Sequence, residues 1–292
     1  MVNLLTYAVL FSSALGLVDA KERHGSMPAT SLSYSYANIT SVLDQVLARG
    51  HLKVGTTGDY KPFTYLVTNA SALPNASAIN TTFIGADIDA AQSLSNALGL
   101  PKPPQLVPTI WSNITSDLGA GKFDIVMGGV SVTLTRARTA FFSTAIQRVG
   151  KTAAIRCSDA DKYTDLESID QEGVRVAVNP GGTNEAFDRA NLDKATIVMV
   201  ADNNAVYQAV LDGEADTMIS DLIEVELQVR LHDGELCIVN PSKPFNFEEL
   251  GYAIPQDPVW KHFVDAWVHV LQGSGAWNTT LEKWLDYKWP KV

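Results

Sequence analysis

Three short segments hold residue types able to grip and transform a small carboxylate: 128–138 (GGVSVTLTRAR), 174–185 (VRVAVNPGGTNE) and 220–226 (SDLIEVE). Each reads as a buried run that stops at glycines, hydroxyls or a charge, so main-chain N–H groups and side-chain dipoles face a common cleft. Thr183 follows Gly181 and Gly182 and precedes a predicted helix over 184–190, where the helix dipole and free N–H groups favour an anion. An isolated match of this kind is as readily an ordinary turn and N-cap. Glu224 carries a carboxyl which, facing an apolar cleft, would be kept neutral by desolvation and so able to give up a proton. On sequence alone an exposed helical glutamate beside Glu226 competes with that reading. Trp111 offers an aromatic wall, although a tryptophan is as often a core residue.

Composition narrows the partners. A chain of 292 residues with 46% apolar content can bury a sizeable core in one or two domains. A formal charge of −10 sets the global field against nucleic acid and anionic membranes, so an anion site must be local. The N-terminus has an apolar run over 4–18 ending in Val18-Asp19-Ala20, which resembles a cleavage site. We read 1–20 as a signal peptide and expect no membrane contact after its removal, the run being shorter than the roughly 20 residues of a bilayer span. Six Asn-x-Ser/Thr sequons, at Asn38, Asn69, Asn75, Asn80, Asn113 and Asn278, fit a glycosylating secretory route. The expected location is secreted or the secretory lumen, or the periplasm in a bacterium.

Cys157 and Cys237 are the two cysteines, and without a CxxC pattern or neighbouring histidine they favour a disulfide over a zinc site, two buried thiols being the alternative. No metal and no cofactor is expected.

The elements that must position these residues alternate short strands with helices. Strands are predicted at 52–54, 63–66, 105–108 and 124–127, with helices over 86–98 and 114–118. A second set follows, with strands at 151–156, 174–178, 196–200 and 217–219 and helices over 184–190 and 205–213. A strand at 249–254 and helices over 259–271 and 281–287 most simply return to the first set. The expected organisation is therefore an α/β protein of two lobes about a hinged central cleft: an N-terminal extension over 21–50, poorly ordered over 21–36, then a first lobe of 51–147 with 241–292 and a second of 148–240.

The segments VGTTGDYKP (54–62), GADID (85–89), GGVSVT (128–133), NPGGTNE (179–185) and NPSKPF (240–245) together resemble the cyclohexadienyl dehydratases, enzymes on the periplasmic-binding-protein type II fold. GxDxD and SVTxxR mark only the superfamily; GDYKP, NPGGTNE and the paired cysteines mark the dehydratase branch. The resemblance implies loss of water and carbon dioxide from prephenate, giving phenylpyruvate, or from L-arogenate, giving phenylalanine. It implies Glu224 as general acid, with Lys151 and Asn179 holding substrate carboxylates or orienting Glu224. Arg136, after Ser131 and Thr133, matches the superfamily position that clamps a ligand carboxylate, with Arg138 its rival. Asp59 and Trp111 match first-lobe cleft positions, with Tyr60 and Lys61 at the rim. Asp221 matches the acid that holds an amino group in amino-acid-binding relatives, and it could equally cap a helix. Two other classes stay open: a non-catalytic amino-acid or carboxylate solute-binding protein, and a secreted interaction module retaining only the fold. The expected partner is a small carboxylate substrate; the oligomeric state is left open.

Overall fold

The structure is a computed structural model that describes residues 40–68 and 82–290. The leader, the segment 21–36 and the sequons at Asn38, Asn69, Asn75 and Asn80 lie outside the described residues.

Two five-stranded sheets share one connection order. In the first, Lys53–Thr56 lies parallel between Gln105–Pro108 and Ile125–Val126, and Ala253–Ile254 adds antiparallel between Ile125–Val126 and Phe141–Phe142. In the second, Arg175–Val178 lies parallel between Thr196–Met199 and Thr217–Asp221, and Lys151–Arg156 runs antiparallel between Thr217–Asp221 and Leu236–Val239. In each sheet the antiparallel strand is the one by which the chain enters from the other sheet. That arrangement sets the start of Lys151–Arg156 against the carboxyl end of Thr217–Asp221, with Lys151 in register opposite Asp221.

Both faces of the second sheet are covered, which is why its strands carry apolar residues at consecutive positions, as in Val176–Val178 and Ala153–Ile155. Ala153, Ile155, Val176 and Ile219 pack with Tyr163 and Ile169 on one face. Ala154, Ala177 and Met218 pack with Val206, Tyr207 and Val210 on the other, following the two-residue alternation of a strand. Around the first sheet the core is built on tryptophans, Trp260, Trp267, Trp277, Trp284 and Trp289, with Phe63 stacked on Trp277 at 6.4 Å between ring centres.

The two crossings between the sheets lie side by side. Gln147–Val149 pairs antiparallel with Glu248–Leu250 in a two-stranded ribbon. Gly150 follows at a point where a Cβ would sit 2.2 Å from the Asn246 carbonyl oxygen, so a residue without one is required. Just beyond it the Lys151 N–H donates to Asn246 Oδ1 at 2.7 Å, and the Phe245 N–H donates to the Lys151 carbonyl at 2.7 Å. Lys151 is thereby fixed to both crossings at once.

Three expectations are revised. The predicted strand over 249–254 is two strands, Glu248–Leu250 in the ribbon and Ala253–Ile254 in the first sheet; between them the Tyr252 N–H leaves the ladder and donates to Ser143 Oγ. The extension over 21–50 ends in a helix, Val42–Arg49, whose capping box joins Ser41 and Asp44 and whose Val46 is fully buried against the first sheet's core. The final helix is Ala276–Leu285 rather than 281–287. Among the described residues no helix is long and apolar enough to cross a membrane, and no cluster of His, Cys, Asp and Glu could hold a metal ion.

Cys157, in the turn just after strand Lys151–Arg156, and Cys237, in the adjacent strand Leu236–Val239, form a disulfide with Cα atoms 4.9 Å apart and 80 residues of separation. Closing a loop of that length contributes up to ~4 kcal/mol in the chain-entropy account. Replacing both cysteines by alanine is expected to lower the free energy of denaturant unfolding by an amount approaching that limit. Unchanged stability in the double variant would show that the bridge does not constrain the unfolded chain.

Candidate active site

The carboxyl ends of the parallel strands face one another across the space between the two sheets, and that is where the polar side chains collect. Strand Arg175–Val178 delivers Asn179, strand Thr217–Asp221 delivers Ser220 and Asp221, and the helix Leu222–Leu231 carries Glu224 one turn further on. From the first sheet come Asp59 and Tyr60, Trp111 after strand Gln105–Pro108, and Ser131 beyond strand Ile125–Val126. Tyr60, Trp111, Ser131, Asn179, Thr183 and Asp221 line the cavity that remains, about 20 Å³, room for roughly one water. A larger hollow of about 560 Å³ beside Asp165 and Val174 opens at the other end of strand Arg175–Val178, away from these groups.

At the centre is a buried ion pair. Lys151 is fully buried, and its Nζ lies 2.7 Å from Asp221 Oδ1, 3.1 Å from Thr183 Oγ1 and 3.3 Å from Glu248 Oε2. Burial works against its charge, but Asp221 and then Glu248 more than offset it, and the ammonium holds its proton above the ordinary lysine range. The second oxygen of Asp221 accepts the hydroxyl of Tyr60, which reaches across from the first sheet. The ring of Tyr60 fits because Gly129 has φ of 72° and a Cβ there would lie 2.3 Å from the ring. Gly129 is held in turn by its N–H donating to buried Asp87 at 2.8 Å. Tyr60, expected at the rim, is thus buried at the join between the sheets, and Lys61 is buried too, with its ammonium 4.2 Å above the ring of Tyr65.

Glu224 is 2% exposed. Burial pushes its carboxyl up to about 8; the Ser220 hydroxyl, which donates to it, opposes the rise, Asp221 adds to it, and Lys151 restrains it. Ser220 Oγ also accepts from Asn184 Nδ2 at 3.0 Å, so the acid is oriented by a short chain that ends on the helix Thr183–Asn191. One turn along that helix, Asp188 is buried with no partner on either oxygen and is likewise pushed up to about 8 by burial. Two neutral acids therefore flank Lys151, and neither needs a counter-ion at neutral pH. Asp59 is also raised, first by burial, although both its oxygens lie 3.1 Å from Trp111 Nε1. Asn203 ties the same loop to the second sheet by donating to the Asp59 carbonyl at 2.9 Å.

Not every predicted residue converges here. Arg136 is partly buried and donates to the Ser131 carbonyl at 2.9 Å, beside the cavity rather than within its lining; Arg138 is exposed. Thr133 caps the short helix Leu134–Ala137, its Oγ1 taking the Arg136 N–H at 3.2 Å. The turn at Gly181 is partly served from within: its N–H donates to Glu185 at 2.6 Å, which holds that carboxyl below the usual range. Thr183 bridges the halves, with Oγ1 3.2 Å from Ser131 Oγ. Residues that the sequence reading missed are Ser220 and Asn184, which orient Glu224, and Asn246 and Glu248 at the second crossing. The GDYKP segment was a signal for Tyr60; none existed for Glu248.

Residues 52–287 match the family model for bacterial extracellular solute-binding proteins, family 3. The chain is 45% identical over 250 residues to the cyclohexadienyl dehydratase of Pseudomonas aeruginosa, covering 86% of this chain and 88% of that one. It is 24% identical to the L-cystine-binding protein TcyJ of Escherichia coli, covering 84% and 86%. Among solved structures, an ancestral amino acid-binding protein, a precursor of cyclohexadienyl dehydratase, superposes with a TM-score of 0.72 at 32% identity, covering 84% of this chain and all of that one. An ancestral cyclohexadienyl dehydratase superposes with a TM-score of 0.51 at 43% identity, covering 85% and 97%.

Raised in the folded protein, Glu224 favours folding while protonated: its share of stability is present below the unfolded value of 4.5 and is lost as pH rises through about 8. Infrared titration, taken as a difference against Glu224→Gln to separate it from Asp188, is expected to show a protonated carboxyl at neutral pH that ionises near 8. A band already gone in the ordinary carboxylate range would contradict the burial account.

Proposed function

The chain belongs to the bacterial extracellular solute-binding proteins, family 3, and from that premise we infer that it is a cyclohexadienyl dehydratase, a carbon–oxygen lyase. Its reaction removes water and carbon dioxide from prephenate to give phenylpyruvate, or from L-arogenate to give phenylalanine. The observation that carries this reading is Glu224, a carboxyl sealed beside the cleft and kept protonated by burial where a plain binding site has no use for an acid.

We assign the chemistry as follows. The ring hydroxyl of the substrate approaches Glu224, whose proton passes to the oxygen as the carbon–oxygen bond breaks and water leaves. The bond to the ring carboxylate breaks in the same aromatisation, its electron pair enters the ring and carbon dioxide departs. Glu224 is left ionised and regains a proton from solvent once the cleft opens. Lys151 and Asn179 hold carboxylate oxygens in place, and Lys151 steadies the developing charge while remaining a cation. Arg136 and the hydroxyls of Ser131 and Thr183 supply further anchors, and Trp111 and Tyr60 form the aromatic wall, their rings 5.7 Å apart and edge to face. The roles of Asp59, Thr133 and Asp221 are to shape and orient: Asp59 fixes Trp111, Thr133 fixes the helix that bears Arg136, and Asp221 fixes Lys151.

We also propose that residues 51–147 with 241–292 and residues 148–240 act as two lobes that part to admit substrate. A cavity of about 20 Å³ is far below the ~300 Å³ at which small-molecule pockets begin, so its walls must separate. The side-by-side crossings at Gln147–Val149 and Glu248–Leu250 are the place for that motion. A structure 43% identical superposes less well than one 32% identical, as a change in the angle between two like halves would produce. An extracellular family and the apolar leader support a secreted setting. The exposed Asn113 and Asn278 would accept glycans in a host that attaches them.

Purified protein incubated with prephenate is expected to release phenylpyruvate. Glu224→Gln should lower kcat by ~10²–10⁴-fold while still binding phenylpyruvate. Near-parental turnover in that variant would remove Glu224 from the mechanism, and no turnover by the parental protein would leave only a binding function.

A further inference from the structure

Asp221 meets a cation and a hydroxyl from within the chain itself. Its Oδ1 accepts from Lys151 at 2.7 Å and its Oδ2 accepts from the Tyr60 hydroxyl, so both oxygens are already engaged. The second anion at the centre is differently placed. Glu248 sits on the return crossing, in the ribbon strand Glu248–Leu250, and its Oε1 accepts from Asn246 Nδ2 at 3.0 Å. Its Oε2 is buried and makes no hydrogen bond, although it lies 3.3 Å from Lys151 Nζ, the longest of that ammonium's three contacts. Glu248 is also the largest charge opposing the effect of burial on the guanidinium of Arg136. One carboxylate therefore sits in the field of both cations assigned to substrate carboxylates.

We propose that Glu248 is a specificity-determining counter-ion, which sets how the cleft ranks a dianionic keto substrate against one carrying an ammonium. The inference rests on the dehydratase reading above. Prephenate carries two carboxylates and no cation, whereas arogenate carries the same two with an ammonium, so the two differ by one positive charge at nearly the same shape. With Lys151 and Arg136 balanced by Asp221 and Glu248, the four groups sum to zero, which penalises a dianion and spares the amine-bearing substrate. Removing the charge of Glu248 leaves the four at +1. The change acts through the field rather than by contact, because Glu248 lies outside the cavity lining. At these separations inside a protein one unit charge alters binding by about tenfold or more.

The test is steady-state kinetics on the full chain with prephenate and L-arogenate. Glu248→Gln is expected to lower the KM for prephenate by about tenfold and to raise the prephenate-to-arogenate ratio of kcat/KM by a similar factor. A residue that merely braced Lys151 would instead raise KM for both substrates and leave their ratio alone, and that result would overturn the proposal. If Glu248→Gln does not fold, Glu248→Asp withdraws the charge by one methylene and should move the ratio the same way by a smaller factor; an unmoved ratio counts against the proposal equally. Parental protein that turns over neither substrate would overturn the dehydratase reading and this inference with it, whereas parental turnover with an unchanged ratio in the variants overturns the inference alone.

Discussion

The contact on which the rest of the structure depends is the buried pair of Lys151 and Asp221, 2.7 Å apart and both nearly inaccessible to solvent. Stripping water from two charges costs several kcal/mol per ion, repaid only when every donor and acceptor finds a partner. Here the ammonium donates to Asp221 and Thr183 and has Glu248 as a third, purely ionic neighbour, and the carboxylate has Lys151 and Tyr60. The pair exists because an antiparallel strand enters a parallel sheet: the register that sets Lys151 opposite Asp221 is available only where the start of one strand meets the carboxyl end of the next. The same burial acts on Glu224, which has no cation in hydrogen-bond contact, and there it stabilises the acid rather than the anion. One dry environment thus produces a fixed cation on Lys151 and a retained proton on Glu224.

The partners of that pair come from different parts of the fold. Asp221 and Thr183 belong to the second sheet and its helix, Tyr60 comes from the hairpin beside the first sheet, and Glu248 comes from the ribbon where the chain crosses back. In the proposed parting of the lobes the Tyr60 contact with Asp221 is the one that crosses between the sheets, while the Lys151–Asp221 register lies within one sheet. The cation is therefore positioned within one sheet, with Glu248 held beside it on the ribbon and the Tyr60 hydroxyl reaching its partner Asp221 from the other sheet. The proposed opening would couple closure and chemistry through the same few side chains, because separating the sheets would also readmit the water that ionises Glu224.

Much of this was legible in the sequence, and what escaped did so for physical reasons. Strands buried on both faces show as short apolar cores, Ala153–Ile155 within Lys151–Arg156 and Met218–Ile219 within Thr217–Asp221. The glycines at 181 and 182 marked Thr183, the family resemblance supplied Asn179, and the two lone cysteines marked a bridge that the structure contains. The helix Val42–Arg49 was overlooked although Ser41 and Asp44 carry a capping-box signal, because eight residues with a single fully buried side chain make little periodicity. Glu248 could not be found locally: it sits between Phe247 and Glu249 in a segment that resembles any exposed turn, and its meaning comes from a lysine almost a hundred residues earlier in the chain. The anion-binding reading of the turn at Gly181 was incomplete for a similar reason, since Glu185 folds back to take an N–H that would otherwise face a ligand.

A neutral carboxyl that delivers its proton to a leaving hydroxyl has one kinetic signature, and the pH dependence of kcat/KM for prephenate reads it directly. If Glu224 is the acid, as proposed, its protonated fraction governs the rate, so kcat/KM should hold level below about 8 and then fall with increasing pH by about tenfold per unit. A profile that stays level or rises through that range would contradict the claim that burial makes Glu224 the acid.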